Sequence, residues 1–271
     1  MSTYPVSTYP DLSQKVTLAA LARKKQRGEK ISMLTAYDYP LALLVDQSGV
    51  DIILVGDSLG MEELGFDTTL PVTMDIMLHH TKAVRRGTKR ALLVADLPFL
   101  SYQVNADDAV RNAGRLLQEA EAEAVKLEGG VAIAPTIRRI VDAGIPVMGH
   151  IGFTPQSVHL LGVRKQGKDE AGAAQVMADA LAVQDAGAFA VVLELIPDAL
   201  AAEVTAALSI PTIGIGAGAS CGGQVLVTSD LLGLRPERAA LKHVRQYAQI
   251  GTLIAEALAA YRKDVTEKSF P

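Results

Sequence analysis

The stretch Asp51-Ile52-Ile53-Leu54-Val55-Gly56-Asp57-Ser58 (DIILVGDS, residues 51–58) decides how the chain is read. Four consecutive aliphatic residues are too few for a helix of ordinary length. They lack the polar alternation of a half-exposed strand, so they read as a strand buried on both faces. The run then stops on an aspartate. The same sentence recurs downstream: ALLVA runs into Asp96, Ala124-Val125 runs into Lys126-Leu127-Glu128, and FAVVL runs into Glu194. Polar residues placed where buried parallel strands end line a site at the C-terminal rim of the sheet. Several acids and one lysine converging on one rim is the pattern of a metal-assisted enzyme.

Working outward, strands are predicted at residues 32–37, 52–55, 91–95, 124–127, 146–149, 189–193, 212–215 and 225–228. The intervals between them are mostly helical. Residues 17–27 (TLAALARKKQR) form an amphipathic helix stopped by Gly28. Asn105, with Asp107 and Asp108 behind it, opens a helix to about Gln118, and Pro197-Asp198 opens the one after Glu194. A weak internal repeat (QSGVDIILVGD, AEAEAVKLEGG, DAGIPVMGHI, DAGAFAVVLEL, LSIPTIGIGAG) brings, in most of its copies, a small residue or glycine just before the strand entry. Eight strands with helical intervals predict an α/β fold, a (β/α)8 TIM barrel with an extra N-terminal helix. Residues 1–16, which repeat the word STYP, read as a flexible N-terminal arm, and residues 17–271 as a single barrel domain. An Ala-rich terminal helix is expected at about 244–261.

Composition narrows the function classes. The 271 residues are 49% hydrophobic with no Trp, which suits an aliphatic α/β core, and about 250 residues is the usual size of one barrel. The net charge of -4, and basic runs confined to 23–25 and 82–90, argue against a nucleic-acid partner. The single cysteine, Cys221, excludes an internal disulfide and suits a reducing compartment. No apolar run approaches the ~20 residues of a membrane span, and the N-terminus lacks the pattern of a secretory signal. A cytoplasmic protein with small-molecule substrates is expected, with no membrane partner.

Asp57 and Asp96 end the second and third strands, neighbours in a barrel. Two carboxylates sharing a small space repel unless a cation or a proton intervenes, and all-oxygen ligands favour a hard cation such as Mg2+. The alternative is that each caps a helix or pairs with a lysine or arginine. Lys126 and Glu128, two apart on a strand, share one face. They form either a satisfied internal ion pair or an anion-binding lysine beside a glutamate that supports the cation. Glu194 ends an apolar run, and burial would raise its carboxyl pKa and suit it to act as a base. His150, at the end of VMGH, either contacts substrate or hydrogen-bonds a neighbour. His79 and His80 are adjacent on a helix and diverge by about 100°, so they cannot share an ion. GIGAGASCGG (214–223) has phosphate-loop glycines without dinucleotide spacing and reads equally as a ligand loop or a tight turn. Between His150 and Glu170 lie about twenty residues without helical periodicity, read as a lid.

The words themselves then become informative. TAYDYP (35–40), VGDSLGM (55–61), TTLPVTMD (68–75), HTKAVRRG (80–87), ADLPF (95–99), VKLEGG (125–130), GHIGFTPQS (149–157), LELIP (193–197) and IGIGAG (213–218) together resemble the ketopantoate hydroxymethyltransferase family, in register from about residue 17 to the end. The resemblance implies a (β/α)8 barrel that uses Mg2+ and takes a one-carbon unit from 5,10-methylenetetrahydrofolate as co-substrate. It implies transfer of a hydroxymethyl group to 3-methyl-2-oxobutanoate, giving 2-dehydropantoate in pantothenate biosynthesis through a Mg-stabilised enolate. It places Asp57, Asp96 and Glu128 at the metal, and Asp57, Ser58, Asp96 and Lys126 at the oxoacid. It makes Glu194 the proton acceptor and implies a homo-oligomer, a decamer. Departures lie at ASCGGQVLVTSD (219–230) and after Leu234, and they touch the donor pocket and subunit packing. A 2-oxoacid lyase or mutase of the isocitrate-lyase kind would use similar carboxylates but predicts a reactive cysteine in the lid, and residues 151–170 contain none. A catalytically silent barrel serving as a scaffold predicts the loss of at least one of Asp57, Asp96, Lys126 or Glu194, and all four are present.

Overall fold

A computed structural model of the chain describes residues 14–236 and 244–267. In chain order the elements are α1 (Leu18–Arg27), β1 (Ile31–Thr35), α2 (Tyr39–Gln47), β2 (Ile52–Val55), α3 (Leu59–Glu62), α4 (Met74–Gly87), β3 (Leu92–Asp96), α5 (Ala106–Ala120), β4 (Ala124–Glu128) and α6 (Ala134–Asp142). There follow β5 (Val147–Gly152), a 3-10 turn (Pro155–Ser157), α7 (Val158–Leu161), α8 (Glu170–Asp185), β6 (Ala190–Glu194), α9 (Asp198–Ala207), β7 (Thr212–Ile215), β8 (Gly223–Leu226), α10 (Thr228–Leu232) and α11 (Ile250–Thr266). The eight strands close a barrel in sequence order, and the pairs from β1·β2 to β7·β8 are parallel. The predicted (β/α)8 architecture with an extra N-terminal helix is the observed one.

Strand alternation sorts the core into two populations. Ile53, Val55, Leu93, Ala95, Val125, Leu127, Val191 and Leu193 face outward and pack under the helices. Ile31, Met33, Ile52, Leu54, Leu92, Val94, Ala124, Met148, Ala190, Val192 and Ile213 fill the barrel interior. In β2, β3, β4 and β6 both faces are therefore apolar, which is why these strands read as continuous hydrophobic runs, whereas β1 and β8 leave Ser32 and Gln224 exposed. Each buried aliphatic side chain contributes about 1.5–3 kcal/mol. Val16 and Leu21 join the interior cluster, so the segment leading into α1 and the helix itself cover one end of the barrel.

The helix starts follow the local chemistry. Thr17 Oγ1 accepts from Ala20 N–H and Gly28 ends α1 in the left-handed region at φ 68°. The side chains of Asp38, Thr73, Asn105 and Asp169 cap α2, α4, α5 and α8. Most of the expected arm lies outside the described residues. Its last part is anchored: Lys15 Nζ meets Glu123 Oε2 at 2.5 Å and Ala91 O at 2.6 Å, and Val16 N–H donates to Arg90 O at 2.8 Å.

Three expectations are corrected. The last strand is Gly223–Leu226, two residues earlier than 225–228, and Thr228 begins α10. The expected lid contains a 3-10 turn and α7, leaving irregular backbone over residues 153–154 and 162–169. The terminal helix is α11, Ile250–Thr266, preceded by irregular chain over 244–249. The chain divides into two compact units, Met1–Val225 and Leu226–Pro271. In the second, Gly233 ends α10 at φ 60°, and Gly251 at the start of α11 donates to Gly233 O at 3.0 Å. A Cβ at Gly251 would lie 2.3 Å from Leu234 O, so only glycine permits that approach. Among the described residues no helix is long and apolar enough to cross a membrane.

Candidate active site

The interior rows of the barrel change character toward the C-terminal ends of the strands. On β3 the row Leu92, Val94 continues to Asp96; on β4, Ala124 continues to Lys126 and Glu128. On β5, Met148 continues to His150, and on β6, Ala190 and Val192 continue to Glu194. The period-2 alternation that points the aliphatic residues inward therefore points these polar groups into the same lumen, one layer higher. Register brings them together: Asp96 is the Cα partner of Lys126, and Glu128 of His150. On β2 the corresponding position is Gly56. A Cβ there would stand 2.8 Å from Ser58 Oγ and 3.5 Å from Asp96 Oδ2. The glycine keeps that volume open, and the carboxylate comes instead from Asp57 in the following turn.

Asp57, Asp96, Lys126, Glu128 and His150 are all buried, and Glu194 is partly open. Lys126 Nζ sits 2.9 Å from Asp96 Oδ1 and 3.4 Å from His150 Nδ1. Asp57 N–H donates to Asp96 Oδ2 at 3.1 Å, so the two strand-end aspartates touch. His150 bridges two glutamates, with Nδ1 3.4 Å from Glu128 Oε1 and Nε2 3.1 Å from Glu194 Oε2. The surroundings of Glu194 are thus not purely apolar, as its sequence context had implied, because His150 reaches it across the lumen. Ser58 stands beside the aspartates, its Oγ 2.8 Å from Tyr37 Oη. The six residues singled out from sequence for metal, substrate and base roles occupy one rim of the barrel.

Two residues of this network carried no signal in the sequence. Gln156, in the 3-10 turn after β5, donates through Nε2 to Asp57 Oδ2 at 2.8 Å and to Leu97 O at 3.0 Å. Its own N–H donates to Glu128 Oε2 at 2.9 Å. Tyr102, from the β3–α5 loop, donates to Gln156 Oε1 at 2.7 Å and accepts from Glu128 N–H at 3.1 Å. A lone glutamine in a Thr-Pro-Gln-Ser turn looks like any solvated loop residue. Only the proximity of β5 to β2 and β3 at the rim reveals its role.

The electrostatics follow from burial and crowding. Burial, then the carboxylates of Asp96 and Glu128, push the Asp57 carboxyl up to about 8 against the opposing pull of Lys126 and Gln156. Burial raises Asp96 as well, countered by Lys126. Burial works against the charge on Lys126, but Asp96, Glu128 and Asp57 outweigh it and hold the ammonium above its ordinary range. Burial and Lys126 also oppose a charge on His150, yet its contacts with Glu128 and Glu194 carry it up to about 9.

Four carboxyl groups, three of them buried and Glu194 partly open, therefore face two nitrogen bases on one rim, an acidic excess that suits a hard cation held by oxygen. Among the described residues, no three acidic, His or Cys side chains form a ready metal cage. The carboxylates are instead turned onto Lys126, His150 and Gln156. Mg2+ keeps several waters and is typically held by one or two carboxylates plus substrate oxygens rather than by an all-protein cage, so the donor set fits such an ion.

Other candidates lie apart from this network or are used structurally. His80 Nδ1 donates to Tyr37 O at 2.7 Å, while His79 and His80 stack edge to face. In the glycine-rich segment, Gly218 adopts φ 81° and a Cβ there would fall 2.0 Å from Asp198 Oδ1, so this glycine makes room for the start of α9. Cys221 is buried, and burial pushes its thiol up, away from nucleophilic chemistry.

Comparison with known proteins agrees with the sequence words. The family model for ketopantoate hydroxymethyltransferase matches residues 15–271. The chain is 59% identical over 258 residues to the 3-methyl-2-oxobutanoate hydroxymethyltransferase of Moorella thermoacetica, covering 95% of this chain and 96% of that one. It is 57% identical over 257 residues to the enzyme of the same name from Chloroflexus aurantiacus (strain ATCC 29366 / DSM 635 / J-10-fl), covering 95% and 91%. Among solved structures it is similar in fold to phosphonopyruvate hydrolase in complex with oxalate and Mg2+, with a TM-score of 0.63 at 14% identity over 94% of this chain and 91% of that one. From the length and identity of these matches, the chain belongs to the ketopantoate hydroxymethyltransferase family of enzymes.

Proposed function

We propose that this enzyme transfers a hydroxymethyl group from 5,10-methylenetetrahydrofolate to C3 of 3-methyl-2-oxobutanoate, giving 2-dehydropantoate in pantothenate biosynthesis. The observation that carries the reading is the buried rim on which Asp57, Asp96, Lys126 and Glu128 surround one space, with Glu194 across from them on His150. The reaction balances as oxoacid plus methylenetetrahydrofolate plus water giving 2-dehydropantoate plus tetrahydrofolate. A C–C bond forms at C3 and a C–O bond forms to the oxygen of water, while both C–N bonds of the donor methylene break and the two folate nitrogens take up the protons of that water.

The difficult step is loss of the C3 proton. A carbon acid beside a ketone is far weaker than a carboxylic acid, and each unit of pKa mismatch costs about 1.36 kcal/mol. Glu194 is the proton acceptor, and His150 orients its carboxylate from 3.1 Å. Asp57 and Asp96 would hold Mg2+ with Glu128 in support, and a hard dication there supplies Lewis-acid charge for the 2-oxo and carboxylate oxygens of the substrate. Lys126, kept protonated by its three acidic neighbours, faces the substrate carboxylate as a fixed positive charge. Ser58 contributes a hydroxyl to the same anion. Burial of these groups excludes water and strengthens each interaction. The proton taken by Glu194 is returned to the new alkoxide oxygen.

NMR-detected exchange of the C3 proton of 3-methyl-2-oxobutanoate into D2O, with and without folate, tests this directly. Exchange without folate, and C–C bond formation only with it, is the expected result. No exchange under either condition would overturn the reading.

A further inference from the structure

The amide of Gln156 makes four hydrogen bonds at once, and all its partners are fixed elements of the rim. Nε2 donates to Asp57 Oδ2 at 2.8 Å and to Leu97 O at 3.0 Å. Oε1 accepts from Tyr102 Oη at 2.7 Å and from Gln103 Nε2 at 3.0 Å. The orientation of the amide is set by chemistry. A backbone carbonyl only accepts, so the end of the amide that meets Leu97 O, and with it Asp57, must be the NH2. Tyr102 Oη accepts Glu128 N–H at 3.1 Å, and its one proton points to Gln156 Oε1 at 2.7 Å in preference to the more distant Glu128 O at 3.2 Å. Meanwhile the backbone N–H of Gln156 holds Glu128 Oε2 at 2.9 Å. One residue therefore grips two carboxylates, one from the turn after β2 and one from the end of β4, and it is itself 6% exposed.

We propose that Gln156 is a positioning residue for cation binding: its side-chain amide fixes Asp57, and its backbone N–H fixes Glu128, so that both carboxylates present their remaining oxygens to the same ion. This rests on the reading of Asp57 and Glu128 as cation-supporting groups. An amide suits the position for a physical reason. It donates to a carboxylate without adding charge, so it orients Asp57 without competing for the ion as a lysine would and without adding repulsion as a glutamate would. Groups that orient metal-binding carboxylates through hydrogen bonds are typically worth roughly 10–100-fold in metal affinity. Gln156 also belongs to the turn that opens the 153–169 segment. Its grip therefore ties the base of that segment to the carboxylates of the rim.

The test uses substrate-free full-length protein titrated with Mn2+, with the free ion read by electron paramagnetic resonance and folding followed by circular dichroism and thermal melting. Asp57→Asn is expected to lose the site. Gln156→Met keeps the side-chain length and removes all four hydrogen bonds, and it is expected to raise the Mn2+ Kd by roughly 10–100-fold and to broaden the bound-ion spectrum. Tyr102→Phe leaves the amide and its Gln103 contact in place and removes the hydroxyl that donates to Oε1 and accepts from Glu128 N–H; it is expected to raise the Kd in the same direction by a smaller factor. Parent-like Mn2+ binding by Gln156→Met, with Asp57→Asn inactive in binding, overturns the positioning role and leaves the cation site standing. Parent-like binding by Asp57→Asn overturns the cation site itself. If Gln156→Met does not fold, the decision passes to Tyr102→Phe, whose parent-like affinity and spectrum would equally overturn the proposal.

Discussion

Asp96 and Lys126 face each other across β3 and β4 as Cα partners, and their charged ends meet at 2.9 Å with both side chains almost wholly buried. The pair is neither an isolated structural ion pair nor a free anion-binding lysine, because Asp57 N–H holds the other oxygen of Asp96 and His150 lies beside the ammonium. Removing one partner of a buried pair leaves an uncompensated charge and costs about 3–5 kcal/mol. Asp96→Ala is therefore expected to lower stability by about 3 kcal/mol, the lower end, because Glu128 and Asp57 still face Lys126. The same variant should bind divalent ions more weakly. Urea unfolding in EDTA measures the first effect and Mn2+ titration the second; parent-like values in both would remove Asp96 from the network.

Activity should vanish in EDTA and return with Mg2+, and ion binding should displace a proton. The Asp57 carboxyl, pushed up to about 8 by burial and then by its acidic neighbours, is mostly protonated at pH 7 in the metal-free enzyme. A cation requires the ionised form, so binding at pH 7 releases that proton, and apparent affinity rises about tenfold per pH unit up to about 8, then levels. Calorimetry in buffers of different ionisation enthalpy counts the proton. Full activity in metal-free buffer, or no proton release, would contradict this.

The barrel was legible because its central strands are apolar on both faces and most of the quoted strand entries follow a small residue or glycine. The eighth was displaced in the reading because Val225-Leu226-Val227-Thr228 has the richer β-forming run, whereas the true strand starts at Gly223. A Cβ at Gly223 would lie 2.4 Å from Ile31 O, so that glycine is required by contact with β1, information that no local window holds. Asp96, Lys126, Glu128 and Glu194 were legible because period-2 alternation carries them into the lumen, and Asp57 because it ends the apolar run of β2. Gln156 and Tyr102 were not, because their importance consists of contacts to residues 99 and 26 positions away.

The segment after α7 should respond to ligands. Val163 is largely exposed, and Gln166 N–H donates to Leu195 O at 2.9 Å, one residue beyond Glu194. With oxoacid and folate bound, amide exchange over residues 163–169 is expected to slow. Equal exchange rates with and without ligands would make it a static loop.

Self-association is expected through α11. Ile254, Leu258, Tyr261 and Val265, at helical spacing, are all exposed, with Leu253 beside them. An apolar face of this kind on a helix marks an interaction surface. Light scattering should give a homo-oligomer, with the decamer the expected size, and Leu258→Glu should reduce its mass. A stable, active monomer of the parent enzyme at micromolar concentration would refute this.

The sharpest prediction separates the base from the anion binder. Glu194→Gln keeps the shape and the contact with His150 but cannot accept a proton, so it should abolish deuterium exchange at C3 while leaving oxoacid binding nearly intact. Lys126→Ala should act in the opposite sense, weakening oxoacid binding because a carboxylate loses its charged partner. It also leaves Asp96 without its 2.9 Å partner, so its stability must be measured alongside. Binding has to be determined separately from turnover, since KM alone mixes the two. If Glu194→Gln still exchanges the C3 proton at the parent rate, Glu194 serves only to hold His150. The proton acceptor must then be sought at His150, whose ring already spans Glu128 and Glu194.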